Sequence, residues 1–131
     1  MKRDMELVRA ILFCFEQSEK DRIDPKAIQV EGYTSEEVRF HIELMKEGGL
    51  LHHEIATPTT ASGEPFRTRI DLGLRPTMQG YDFLDSVRDP EVWRRTKEGA
   101  AKVGGVGVEF LWELGKAYTK QVIKERLGFE L

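Results

Sequence analysis

Residues 33–51 read YTSEEVRFHIELMKEGGLL, and the reading of this stretch decides the fold. Thr34 followed three positions later by Glu37 is a capping box, in which each side chain satisfies a backbone N–H at the start of a helix. Tyr33, just before the cap, is placed to close over Val38 as a hydrophobic staple. The spacing therefore predicts a helix over 35–47, and Gly48 or Gly49 supplies the left-handed turn that ends it. On this helix Val38, Ile42 and Met45 fall on one side, with Phe40 and Leu44 on a second apolar edge. Glu36, Arg39, Glu43, Lys46 and Glu47 form the wet stripe. The helix runs through Gly-Gly-Leu-Leu straight into a strand.

Working outward, Asp4 can cap a first helix over 5–18, whose Leu7, Val8, Ile11, Leu12 and Phe15 recur at three-to-four spacing. Between the two helices, Pro25 and Gly32 bracket a short strand expected over 27–31, with Ile28 and Val30 pointing the same way. Downstream, 50–56 reads as a strand, TPTTASGEP as a polar loop, and FRTRIDLGL as a returning strand of period two. Phe66, Thr68, Ile70, Leu72 and Leu74 are expected inside, with Arg67, Arg69, Asp71 and Arg75 outside. Thr77 can cap a third helix, in which Met78, Tyr81, Leu84 and Val87 pack on the sheet. Asp89-Pro90 starts a fourth, as N-cap and first helical residue. The tract GGVG at 104–107 ends it, and a last helix is expected over 108–127 before Gly128. Leu111, Leu114, Gly115, Tyr118 and Val122 make its apolar face, and its charges exclude a membrane span. The expected fold is α+β: helix, short strand, helix, β-hairpin, helix over 1–89, then two C-terminal helices over 90–131.

That order is similar to a winged-helix domain, with the hairpin as its wing. VRFHIELMKEGGLL resembles the recognition helix and first wing strand of bacterial winged-helix repressors. LRPTMQGYDFL resembles the Leu-x-x-Thr-x-x-Gly-x-x-Phe-Leu phrase that follows their wing. MKRDMELVRAIL, EGYTSEEVRFHIELMKEGGLL, MQGYDFLDSVRDPEVW and the Gly-rich start of the last helix resemble the bacterial and phage family catalogued as domain of unknown function 2513. The resemblance implies a fold and a phage or prophage setting, and it transfers no site. One departure from the winged-helix pattern stands out. Between the first helix and the TSEEV helix there is hardly room for the supporting helix that normally crosses the DNA backbone.

The 131 residues, 40% hydrophobic and 33% charged, describe a globular chain with a real core. Charged residues interrupt the N-terminal apolar run where a signal peptide would need none, so a cytoplasmic location is expected. The single Cys14 has no disulfide partner and reads as a buried core thiol. The net charge of −3 is spread so that no segment is strongly basic, whereas tight binding to phosphate needs concentrated Lys and Arg. The nucleic-acid candidates are accordingly few: Lys2, Arg3, Arg39, Lys46, Arg67 and Arg69. Glu36, Glu43 and Glu47 on the same helix stripe oppose a polyanion.

His52 and His53, adjacent on a strand, point to opposite faces and cannot chelate one metal together; His41 adds no complete ligand set. GGVG lacks the preceding strand and third glycine of a dinucleotide loop. No nucleophile motif is present, so neither a metal, a cofactor nor catalysis is expected. The expected function is that of a winged-helix DNA-binding regulator. The alternative is a protein-interaction module that keeps the fold without binding DNA. Leu111, Trp112, Leu114, Tyr118 and Val122 on the last helix are the candidate surface for a two-fold homodimer.

Overall fold

The computed structural model describes residues 1–104 and 107–128. It contains helices α1 (Met5–Gln17), α2 (Ser35–Glu47), α3 (Met78–Val87), α4 (Pro90–Lys102) and α5 (Val108–Leu127), and strands β1 (Leu51–Ala56) and β2 (Ile70–Pro76). The chain divides into two compact units, Met1–Tyr81 and Asp82–Leu131. The division falls inside α3, earlier than the Asp89-Pro90 boundary the sequence suggests.

In the first unit the caps act as read. Asp4 accepts from the Glu6 N–H at 2.9 Å to start α1, and Thr34 and Glu37 close a reciprocal box at 3.1 and 3.0 Å to start α2. Gly49, at φ 78°, supplies the left-handed residue after α2. Leu7, Val8, Ile11, Leu12 and Phe15 of α1 are buried, as are Val38, His41, Ile42 and Met45 of α2, together with Ile28, Leu50, Leu51 and Leu74. His41 is in this core because both ring nitrogens are matched. Nδ1 donates to the Glu37 carbonyl at 2.7 Å, and Nε2 accepts from the Asp4 N–H at 2.8 Å. Asp4 also accepts from the Tyr33 hydroxyl at 2.8 Å. Partial burial, then that bond to a carboxylate, pushes the Tyr33 phenol up to about 12. Tyr33→Phe and Asp4→Ala each remove part of this joint between α1 and α2, and each is expected to cost about 1 kcal/mol in urea unfolding. Two unchanged midpoints would count against the joint.

The strand expected over 27–31 does not form. Ile28 is buried and extended, but this segment pairs with no strand among the described residues. An isolated bridge forms earlier: Ile23 exchanges hydrogen bonds of 2.9 and 2.8 Å with Leu74 of β2. Pro25 has no N–H to extend it, and Asp24 caps a single 3-10 turn, Pro25–Ala27, that stands where a supporting helix would be. Cys14 is half-buried rather than fully buried, with its Sγ 4.0 Å from the Gln29 carbonyl.

The hairpin departs from strict alternation. Antiparallel pairing runs from Leu51 with Pro76 to Glu54 with Gly73, then slips so that Ile55 faces Asp71 and Ala56 faces Ile70. Leu72 is the extra residue of a β-bulge. His53 and Ile55 share one face of β1, so their partners Leu74 and Asp71 share a face of β2, and Ile70 is turned to the other. Gly73, at φ 99°, takes a conformation that other residues adopt at a cost, and a Cβ added there would lie 3.2 Å from the Ile23 carbonyl oxygen. Phe66, Thr68, Ile70 and Leu72, expected inside, are exposed; Leu74 alone of that set is buried. Arg67 and Arg69 are exposed as expected. The tract 57–65 is a hydrogen-bonded tip, with Thr60 N–H to the Glu64 carbonyl at 2.7 Å and Phe66 N–H to the Pro58 carbonyl at 2.8 Å.

Met78 and Tyr81 of α3 are exposed, and the buried residues of that helix are Gly80, Phe83, Leu84, Ser86 and Val87. The packing phase is set by Gly80, whose missing Cβ lets the helix touch Leu50.

In the second unit α4 and α5 pack antiparallel, since ion pairs join the start of α4 to the end of α5: Asp89 to Arg126 at 2.6 Å and Arg95 to Glu125 at 2.8 Å. Val92, Trp93, Thr96 and Ala100 of α4 and Leu111, Gly115 and Val122 of α5 are buried. Gly104 and Gly107 flank the break between these helices; Gly105 and Val106 of the GGVG tract lie outside the described residues. Glu91 lies between two guanidiniums, and hydrogen bonds from Arg94, then Arg95, hold its carboxyl down to about 2. Its stabilising effect is present above the ordinary carboxylate range and is lost as pH falls toward about 2. NMR titration should place the Glu91 midpoint near 2 and return it toward 4.5 in Arg94→Gln/Arg95→Gln. An ordinary midpoint in the wild-type chain would show that the pairs do not persist.

Candidate nucleic-acid interface

All six basic candidates lie in the first unit. Lys2, Arg3, Arg39, Arg67 and Arg69 are exposed and make no ion pair with any described residue. The bond from Asp4 N–H to His41 brings the chain just after Lys2 and Arg3 against α2. Lys46 differs. Its ammonium is 2.9 Å from Glu43 and 3.4 Å from His53 Nδ1. His53 Nε2 in turn meets Asp71 at 2.8 Å, so Lys46 joins the last turn of α2 to the hairpin and its charge is compensated. The hydrogen bond with His53, then that from the Gly73 N–H, hold the Asp71 carboxyl below its ordinary range.

Arg22, near the hairpin, is also neutralised, 2.6 Å from Glu54 of β1, while Arg75 on β2 is half-buried and donates to the Pro76 carbonyl at 3.4 Å. The placement of Arg22 follows from the Ile23 bridge, which the sequence reading did not contain. Arg67 and Arg69 therefore stand apart, exposed on the returning arm of the hairpin with no carboxylate bound. On α2, Arg39 is flanked along the exposed stripe by Glu36 and Glu47, neither of which has a cationic partner among the described residues. That stripe is net negative toward phosphate, whereas Arg67 and Arg69 on the hairpin have no carboxylate bound to them among the described residues.

Of the α5 residues considered for self-association, Leu111 and Val122 are buried inside their own unit. Their burial is a correction, because neither has surface left for a second chain. Trp112, Leu114 and Tyr118 are half-buried; the Trp112 ring carries the Lys116 ammonium 5.2 Å from its centroid. Beside them Phe110 is 53% exposed.

His41, His52 and His53 do not converge, and among the described residues no group of three or more His, Cys, Asp and Glu side chains is placed to hold a metal ion. No helix among the described residues is long and apolar enough to cross a membrane.

A family model described as "Hypothetical protein (DUF2513)" matches residues 2–107. The chain belongs to this family. The match covers the whole first unit, including the capping box, the hairpin and the Thr77-to-Gly80 junction. A relative in sequence is an uncharacterized protein of Haemophilus influenzae, 29% identical over 97 residues, which cover 74% of this chain and 76% of that one. No solved structure matches.

Proposed function

We propose that this DUF2513 protein binds double-stranded DNA as a winged-helix-like regulator in a phage or prophage setting, with the hairpin rather than α2 as its principal contact. The observation that carries the reading is the pair Arg67 and Arg69, exposed and unpaired among the described residues on a hydrogen-bonded hairpin, while Arg22 and Lys46 nearby are neutralised. Guanidiniums in this state can take phosphate or enter a minor groove without first breaking an ion pair. Glu36 and Glu47 oppose deep entry of α2 into a major groove, and a single 3-10 turn replaces the helix that usually seats the next one there.

Few phosphate contacts mean weak binding that falls steeply with salt. Titration of a labelled duplex at several salt concentrations tests this directly. Arg67→Ala/Arg69→Ala should lower affinity and flatten the slope of log K against log salt by about one to two units. The same slope in both proteins would remove the hairpin as the contact. Absence of binding to any duplex in low salt would favour a protein-interaction module instead.

A two-fold pairing through α5 would present two hairpins to a symmetric site. Phe110, with Trp112, Leu114 and Tyr118 beside it, supports this arrangement. Sedimentation should give a dimer that Phe110→Glu converts to monomer; a wild-type monomer at working concentration retires it.

A further inference from the structure

We infer that Phe66 is an apolar wedge, inserted between neighbouring base pairs from the minor groove while Arg67 and Arg69 hold the flanking phosphates. The inference rests on the DNA-binding reading and goes beyond it, since it concerns how the duplex is deformed.

Phe66 is 51% exposed, immediately before Arg67. Its backbone is nevertheless fixed: its N–H donates to the Pro58 carbonyl at 2.8 Å, Thr59 bridges Pro65, and Thr60 is bonded to Glu64 beyond. The ring is carried on a closed neck of chain, so little conformational entropy remains to be lost on binding. Ile55, Ile70 and Leu72 on the same hairpin are also exposed. Ile55 and Ile70 lie on opposite faces, so the surface that matters is the Phe66 ring together with the arginines that follow it in the chain.

The charges around that surface select the partner. Glu54 is ion-paired with Arg22 and Asp71 is hydrogen-bonded to His53, which leaves Glu64 as the acid near the tip with no side-chain partner among the described residues, against the unpaired Arg67 and Arg69. An apolar ring beside two free guanidiniums fits a polyanion with stacked apolar planes inside it. Minor-groove proteins use Phe, Leu or Ile in this way, unstacking one base step and kinking the duplex. Pyrimidine–purine steps such as TA yield most readily, and A-tracts resist.

The test uses the full chain and a short duplex carrying 2-aminopurine at a central TA step, with fluorophores at its ends. The wild-type protein should raise 2-aminopurine emission and bring the ends closer, and should bind an A-tract duplex less well. Phe66→Ala should bind about tenfold more weakly and lose the emission change. Its salt slope should be unaltered, because no charge is removed. Phe66→Leu should keep most of the signal. A melting curve equal to wild type is expected for both variants, since the side chain is exposed. If Phe66→Ala binds and unstacks the duplex like wild type, the wedge is wrong and the DNA reading survives. If the wild-type chain binds no duplex in low salt, both fall. If sedimentation shows a wild-type dimer that Phe66→Ala dissociates with duplex binding unchanged, the patch belongs to a second copy of the chain and the wedge is overturned.

Discussion

Leu74→Ala should lower the unfolding free energy by about 2 to 5 kcal/mol, whereas Leu72→Ala and Ile70→Ala should each cost less than about 1 kcal/mol. In a strand of strict period two these three residues would be equivalent. The bulge makes them different. Leu74 is fully buried, and its N–H and carbonyl both bond to Ile23, so it is simultaneously a core side chain and the point where the two-stranded sheet is bridged to the segment before α2. Leu72 is the unpaired extra residue, and Ile70 has been rotated to the opposite face from Leu74. Truncating Leu74 removes methyl groups from a packed interior and leaves a cavity; truncating the other two removes surface already in water. Urea unfolding followed by far-UV circular dichroism compares the three variants under one set of conditions. Equal losses for Leu74→Ala and Leu72→Ala would mean that the register is continuous and the bulge is absent.

Gly80→Ala should destabilise by about 3 kcal/mol, although alanine is the better helix former by about 1 kcal/mol. A Cβ added at Gly80 would lie 2.2 Å from the Leu50 carbonyl oxygen and 3.1 Å from its carbon. These are backbone atoms that cannot swing away. The same junction is tied by the Thr77 N–H to the Leu50 carbonyl at 3.0 Å and the Thr77 hydroxyl to the Gly49 carbonyl at 2.5 Å. Thr77 also accepts from the Gly80 N–H at 3.0 Å. The Thr-x-x-Gly spacing is therefore packing chemistry: threonine caps α3 and binds the turn before β1, and glycine lets the first turn of the helix settle on that turn. Because propensity and packing predict opposite signs, the measurement is decisive. A stability gain in Gly80→Ala, read from the same urea curves, would mean that α3 does not approach Leu50 this closely.

How much was legible beforehand follows from the range of the interactions. The capping box of Thr34 and Glu37, the Asp89-Pro90 helix start and the glycine after Leu127 are contacts within four residues, so the sequence alone places the helices. Their apolar faces follow from periodicity, and Leu7, Ile11, Val38 and Ile42 are buried as read. The candidate arginines were also readable, because exposed cations need only a polar setting.

Other features depended on residues far apart in the chain. His41, considered in the sequence only as a ligand without a complete set, is a core residue because folding brings the Asp4 N–H to its Nε2, from 37 positions away. In place of a strand between α1 and α2 a single bridge forms at Ile23, because Leu74 offers it a partner and Pro25 has no N–H to continue it. Phe66, Ile70 and Leu72 read as core by alternation but are exposed, and one extra residue at Leu72 reverses the phase of the strand. Which cations remain available was likewise undecided in the sequence. Arg22 and Lys46 are neutralised by Glu54 and Glu43, and Arg67 and Arg69 are left free, because ion pairing is settled by distance in three dimensions and the charge count is the same either way.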